Sequence, residues 1–346
     1  MSTERSVDEP GHPPVPTLEM VAAAAGVSRA TVSRVVNASP RVTESVVAAV
    51  NDAIARLNYV PNRAARSLAS RRTQVIALVV PETTAKLFSD PFFASVIQGI
   101  AMALADTDFT LNMLISSETR SEKTRRYLLG GNVDGAIVVS HHSGDHSYAQ
   151  LGQSLPIVFG GRPLLASESG SYFVDVDNAA GAAVATEHLA SRGSRHIATI
   201  AGPQDMPPGL DRLAGWRHAL ALRGLDDSLW EVGDFTPESG AEAMRRLLAR
   251  GRPIDGLFAA NDQMAAGAYS VIHEHGLSIP GDIRVAGFDN NYFGSTAVPA
   301  LTTIDQPSAE LGAKMAEVLV KLIERQSVER VTLMSTRLVE RASTAP

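Results

Sequence analysis

Residues 17–37 read TLEMVAAAAGVSRATVSRVVN, and the arrangement of the rest of the chain follows from them. Thr17 is a natural helix cap, and Leu18, Val21, Ala22 and Ala25 follow at helical spacing. Gly26 stops that helix, and Ser28 caps a second that runs to about Asn37. Two short helices joined by a glycine-containing turn predict a helix-turn-helix. Ala22 and Val27 can pack inside the turn, and Val32 and Val35 face a core, leaving Arg29, Ala30, Thr31, Ser33 and Arg34 outside. In the major groove such a helix would bring Arg29, Ala30 and Arg34 to the base edges, because an arginine fork pairs bidentately with guanine. Thr17, Ser28, Thr31, Ser33 and Asn37 are short polar groups suited to phosphate oxygens.

Charge supports that placement. The chain of 346 residues carries a net −6, yet residues 17–72 hold eight arginines (29, 34, 41, 56, 63, 66, 71 and 72) against Glu19, Glu44 and Asp52. That segment is +5, and everything beyond residue 72 sums to −9. A basic module joined to an acidic body predicts that the first holds phosphates and the second does something else. Thr43 is placed to cap a third helix, with Val46, Val47, Val50, Ile54 and Leu57 on one face and Pro61 as its stop. Residues 1–16 mix charges with prolines and read as a disordered tail, neither signal peptide nor membrane anchor. With no cysteine there are neither disulfides nor thiolate metal sites, and a cytoplasmic location is expected.

From Thr73 the pattern becomes short apolar runs, at 75–80, 109–115, 135–140, 157–160, 196–202, 256–261 and 284–289. These are expected of parallel strands covered on both faces. Amphipathic stretches at 92–105, 178–192, 209–223, 237–250 and 262–276 lie between them. The alternation predicts doubly wound α/β layers, and seven or more strands suit two sheets better than one. In such sheets ligands sit beyond the carboxyl ends of strands, where Asn261 and Asp289 end apolar runs and Arg162 follows IVFGG.

The stretch NYVPNRAARSLASRRT (58–73), directly after the helix-turn-helix, closely resembles the LacI/GalR family of bacterial repressors. The resemblance continues in family order through SDPFFASVIQGI (89–100), VDNAAGAAVATEHLASRG (176–193), DRLAGWRHAL (211–220), FAANDQMAAGA (258–268), VAGFDN (285–290) and PALTTIDQP (299–307). It implies a helix-turn-helix over 17–60 and a hinge helix over 61–72. Residues 73–343 would form an effector-binding and dimerising domain of two α/β subdomains similar to periplasmic sugar-binding proteins. In the hinge the resemblance places Asn62, Ala65, Arg66 and Ser67 on DNA and Leu68 as an apolar wedge in the minor groove. Carried over position by position, effector contacts fall on Asp90, Phe93, Arg162, Arg212, Phe235, Asn261, Asp289 and Gln306, with Phe92 beside them. Carboxylates, amides and arginine forks suit vicinal hydroxyls, and aromatic rings suit the apolar face of a pyranose, so a neutral sugar is expected. The family often has Asn-Pro where this chain has Asp90-Pro91 after the longer segment 82–89. A carboxylate there only accepts hydrogen bonds, so the effector should offer donors.

These expectations describe a repressor that binds a near-palindromic operator as a dimer, with a small effector and no cofactor or metal. A purine effector is the alternative, since Phe235 could stack on a base. His141, His142 and His146 follow a strand but lack the helical HExxH context of a metal enzyme. A secreted sugar-binding protein would have no use for residues 17–73. The C-terminal RLVERASTAP (337–346) carries no apolar heptad for a tetramerising bundle.

Overall fold

In a computed structural model, residues 16–36, 39–60, 72–115, 121–142, 151–152, 154–164 and 170–345 are described. The chain divides into two compact units at Thr73/Gln74. The first contains α1 (Leu18–Ala25), α2 (Arg29–Val36) and α3 (Glu44–Leu57). The Thr17 side chain accepts from the Met20 amide, and Gly26 ends α1 at φ 65°, a left-handed conformation that costs glycine nothing. Val21, Ala22, Val32, Val50, Ala53 and Tyr59 form its core, with Val27, Val35, Val46, Ile54 and Leu57 packed against it. The sequence suggests Pro61 as the stop of α3. The helix instead closes at Leu57 on Asn58, which takes the left-handed cap at φ 49°. Asparagine tolerates that conformation better than most residues.

The second unit holds β1 (Val75–Val80), α4 (Thr84–Ser89), α5 (Pro91–Leu104), β2 (Thr110–Ile115), α6 (Ser121–Leu129), β3 (Gly135–Val139), β4 (Ile157–Gly160) and β5 (Tyr172–Val176). There follow α7 (Asn178–Ser191), β6 (Ile197–Ala201), α8 (Pro207–Leu222), β7 (Trp230–Val232), α9 (Pro237–Ala249), β8 (Gly256–Ala259), α10 (Asp262–Glu274) and β9 (Arg284–Asp289). The last elements are α11 (Tyr292–Thr296), β10 (Thr302–Asp305), α12 (Ser308–Ile323), β11 (Val331–Met334) and β12 (Arg337–Val339).

The strands form two six-stranded sheets, ordered β11-β5-β4-β3-β1-β2 and β12-β10-β9-β8-β6-β7. All pairings are parallel except the β12–β10 edge. Each sheet is the spine of one lobe, and each is covered on both faces. In the first lobe Ile76, Leu78 and Val80 join one core cluster, while Ala77 and Val79 join the opposite one. In the second, Ala198 and Ile200 face one side and Ile197 and Ala201 the other. That two-sided burial is why the strands read as continuous apolar runs.

The chain passes between lobes three times, at β5–α7, β10–α12 and β11–β12. After the second passage α12 packs on α5 through reciprocal glycines. A Cβ on Gly99 would stand 1.8 Å from the Ala309 carbonyl oxygen, and one on Gly312 would stand 2.2 Å from that of Val96. The first lobe is thus closed by a helix that follows the second in sequence. Five strands (β5, β7, β10, β11 and β12) and four helices (α4, α6, α11 and α12) add to those expected from apolar runs alone.

Candidate DNA interface and effector cleft

In the first unit, packing of Val32 into the core turns Arg29, Ala30 and Arg34 outward, all exposed, with Thr31 and Ser33 half-buried beside them. The Ser28 hydroxyl accepts from the Thr31 amide at 3.1 Å and lies 2.9 Å from the Thr31 hydroxyl, which secures the start of α2. Glu19 on α1, not singled out in the sequence, places Oε1 3.1 Å from Arg29 Nε. The contact to Nε orients the guanidinium plane and leaves the terminal nitrogens for another acceptor. Asn37, Asn62, Ala65, Arg66, Ser67 and Leu68 lie outside the described residues, as do residues 1–15 and His146.

In the second unit a cleft between the lobes is lined by Asp90, Phe92, Phe93, Arg212, Phe235, Asn261, Asp289 and Gln306, eight of the nine effector positions expected from sequence. Asp90 caps α5, its carboxylate accepting from the Phe92 amide at 2.9 Å. Burial raises its pKa to about 6, against the opposing pull of that amide and of Lys86. Asn261 caps α10, accepting from the Met264 amide at 2.9 Å and donating to the Phe235 carbonyl at 3.0 Å. Asp289, at the end of β9, adopts φ 108°. Burial pushes its carboxyl well above the ordinary carboxylate range, although Arg212 pulls the other way.

Arg212 organises the floor. Only 5% exposed, it donates from Nε to Asn178 Oδ1 at 2.9 Å, from Nη1 to the Ala260 carbonyl at 2.6 Å, and from Nη2 to Gln306 Oε1 at 2.9 Å. Nη1 also reaches Asp289 Oδ1 at 3.5 Å. Asn178 and Gln306 sit at two of the passages between lobes, so one guanidinium is tied to both. A buried arginine is tolerated only when paired and hydrogen-bonded in this way.

Arg162 departs from expectation. It is not among the residues lining the cleft. Its amide donates to Asp175 at 2.8 Å, and Nη2 donates to both carboxylate oxygens of Asp211 on α8, at 2.8 and 3.0 Å. Residues that sequence reasoning missed complete the lining, among them Lys86, Ser140, Asp175, Asn178 and Leu311. Asp175 could have been found, since it is the one charged residue in the strand run YFVDV, and it accepts from Asn178 Nδ2 at 3.0 Å. Met206, Pro207 and Pro208 form an apolar rim at the start of α8 that carries no chemical signature in sequence. The arrangement offers acceptors from both lobes (Asp90 and Asp289), three carboxamides, and three phenyl rings. It suits a neutral ligand rich in hydroxyl groups. Among the described residues no group of histidines and carboxylates is disposed to hold a metal ion. No described helix is long and apolar enough to cross a membrane.

Comparison with known proteins bears on both units. The profile of bacterial regulatory proteins of the lacI family matches residues 17–62, and that of the periplasmic binding protein-like domain matches residues 186–344. The chain is 44% identical to the HTH-type transcriptional regulator CelR of Thermobifida fusca, over 95% of this chain and 98% of that protein. A solved complex of CelR with cellobiose superimposes with a TM-score of 0.76 at 42% identity, covering 95% of this chain and 99% of the other. The lac repressor dimer bound to operator and the anti-inducer ONPF superimposes at 0.85 with 29% identity, covering 96% and 99%.

Proposed function

The chain belongs to the LacI family of bacterial regulatory proteins, and on that premise we propose that it is a sequence-specific repressor, released from or held on operator DNA by a neutral saccharide. The lining of the cleft carries the reading of the effector. Asp90 and Asp289 are carboxylates contributed by opposite lobes, and a ligand that satisfies both must present hydrogen-bond donors at two ends. Phe92, Phe93 and Phe235 offer apolar faces of the kind pyranose rings cover. Similarity to the CelR–cellobiose complex supports a saccharide, and a disaccharide in particular.

Residues 17–60 read the operator, 61–72 form a hinge, and 73–343 bind effector and pair two subunits on a near-palindrome. The protein works by binding alone, in the cytoplasm where the operator lies. Coupling follows from linkage: a ligand that prefers one arrangement of the lobes shifts the dimer toward it, and DNA prefers its own. Calorimetric titration of the full-length protein with a panel of mono- and disaccharides and purine bases tests the reading. Saccharide binding that alters operator affinity is the expected result. Binding of a purine but of no saccharide would replace the sugar by a base stacked on Phe235.

A further inference from the structure

Two charged contacts cross the mouth of the cleft outside its ligand-lining floor. Arg162, after β4 of the first lobe, pairs through Nη2 with both oxygens of Asp211 on α8 of the second. His142, after β3 of the first lobe, places Nδ1 2.8 Å from Asp205 Oδ2 in the β6–α8 connection of the second. Its other nitrogen lies 3.3 Å from Glu82 Oε1 on its own lobe. Glu82 is 8% exposed and also accepts from Lys86 Nζ at 2.9 Å and Ser140 Oγ at 2.6 Å. Hydrogen bonds from His142 and Ser140 and the Lys86 charge outweigh burial and bring its pKa down to about 2, so it stays ionised.

A neutral imidazole carries one N–H and can donate to only one of two flanking carboxylates, while the imidazolium donates to both. Both cross-lobe pairs have the same polarity, with the cation on the first lobe and the carboxylate on the second. We propose that Arg162 and His142 form an ionic latch that holds the lobes closed, and that protonation of His142 strengthens it.

Among the described residues, Glu82 and Asp205 contact His142, Lys86 pairs with Glu82 on the first lobe, and Asp211 pairs with Arg162 from the second. Lys86 lies within electrostatic reach of Asp234 and adds a third attraction of the same sense. As pH falls from 8 to 5.5, the imidazolium gains a second carboxylate partner and the closed arrangement gains population. Added salt weakens the latch, because Arg162, Asp205 and Asp211 are partly exposed. The effect on effector affinity rests on the regulatory reading above; the effect on lobe closure does not.

The absence of cysteine from the chain makes a direct test available. Full-length protein carrying Lys123→Cys and Glu238→Cys, one exposed site on each lobe, is labelled for single-molecule energy transfer and measured without effector. The closed fraction should rise about two- to fivefold between pH 8 and 5.5, the range an accessible charge pair allows. Asp205→Asn and His142→Gln should abolish that rise, and Arg162→Ala should lower the closed fraction at every pH. Asp205 is half-exposed, so its substitution spares the fold. A closed fraction indifferent to pH, or a pH response that survives in both His142→Gln and Asp205→Asn, overturns the latch. Either outcome leaves effector and operator binding by the parent intact, so failure here is distinct from failure of the regulatory reading.

Discussion

The Arg212 guanidinium carbon stands 3.7 Å from the centroid of the Phe288 ring. Phe288 is fully buried on β9, one residue before Asp289, so the cation rests on the strand whose end supplies the facing carboxylate. The aromatic face sets the plane of the fork, and Asn178, Ala260 and Gln306 fix its rotation within that plane. This cleft-lining charge is therefore also a structural cross-brace between two passages of the chain.

Arg212→Ala is accordingly expected to do more than remove an effector contact. It leaves Asn178, Gln306 and Asp289 buried without their partner, at a cost of about 3–5 kcal/mol. The melting temperature of the protein should drop along with effector binding. Arg212→Lys retains charge but offers neither the planar fork nor the stacking face. It should melt closer to the parent and still lose effector affinity at least about tenfold, or about 1.4 kcal/mol. Calorimetry and thermal denaturation of both variants check this, and full effector affinity in Arg212→Lys would contradict it.

Effector affinity should depend on pH through Asp90. Its folded pKa of about 6 exceeds the ordinary 3.8 because burial disfavours the charged form. Stability associated with the protonated carboxyl is thus fully present below pH 3.8 and is lost as pH rises through 6. A sugar hydroxyl donating to the carboxylate acts in the opposite direction, since it favours ionisation. The dissociation constant should therefore increase as pH falls below about 6, and Asp90→Asn should flatten that limb of the profile. Titrations at half-unit intervals between pH 5 and 7.5 measure it.

Part of the cleft is readable in sequence because Asp90, Asn261 and Asp289 are each also a cap or strand end with a local signal. Asp90 precedes a proline at N1 of α5, Asn261 ends GLFAA, and Asp289 ends RVAGF. Arg162 has a similar local setting, yet its direction is decided by Asp211, 49 residues away, which no local pattern reveals. Among the strands, β10 hides because its buried residues include Thr302 and Thr303. Their hydroxyls are satisfied by Arg341, Thr344 and Asp262, so polar residues occupy a fully covered strand. The edge strands β7 and β12 are three residues long and carry no periodicity. The long helix α12 has Leu311, Met315, Val318, Leu319 and Ile323 at helical spacing, a pattern that the reading of apolar runs does not include. What sequence withholds is that it crosses back to the first lobe.

On the DNA side, Arg34→Ala should lose operator selectivity while retaining salt-sensitive binding. Glu19→Gln tests whether the contact at Arg29 Nε matters: if Arg29 reads a base, discrimination among operator variants should weaken, and binding to unrelated DNA should hold or improve as a carboxylate is lost. Competition gel shifts with operator variants at several salt concentrations separate the two effects. Affinity should fall with log salt at a slope near −0.9 per phosphate contact.

Leu68→Ala is expected to reduce bending of the operator and specific affinity, because a side chain three carbons smaller would no longer unstack the central step as a wedge. Effector binding measured by calorimetry should be unchanged. Circular-permutation gels that show parental bending in Leu68→Ala would remove the wedge assignment.

The last expectation concerns the turn that aims Asp289. Both Asp289 and Asn290 have positive φ, 108° and 58°, a conformation that costs most side chains about 1–2 kcal/mol per residue. Asn290 is clamped there from two sides: its Nδ2 donates to Asp305 Oδ1 at 2.9 Å, and its Oδ1 accepts from Arg341. Asp305 immediately precedes Gln306, so the clamp links the turn that carries one cleft residue to the strand end that carries another. Asn290→Gly accepts the backbone conformation freely and removes only the clamp, about 1 kcal/mol per hydrogen bond lost. Asn290→Ala removes the clamp and adds the conformational cost, so it should be the less stable of the two by about 1 kcal/mol. If the clamp aims Asp289, both variants should bind effector less tightly, with Asn290→Gly showing the smaller drop in melting temperature. Equal effector affinity in the parent and Asn290→Gly would assign the pair of hydrogen bonds to stability alone.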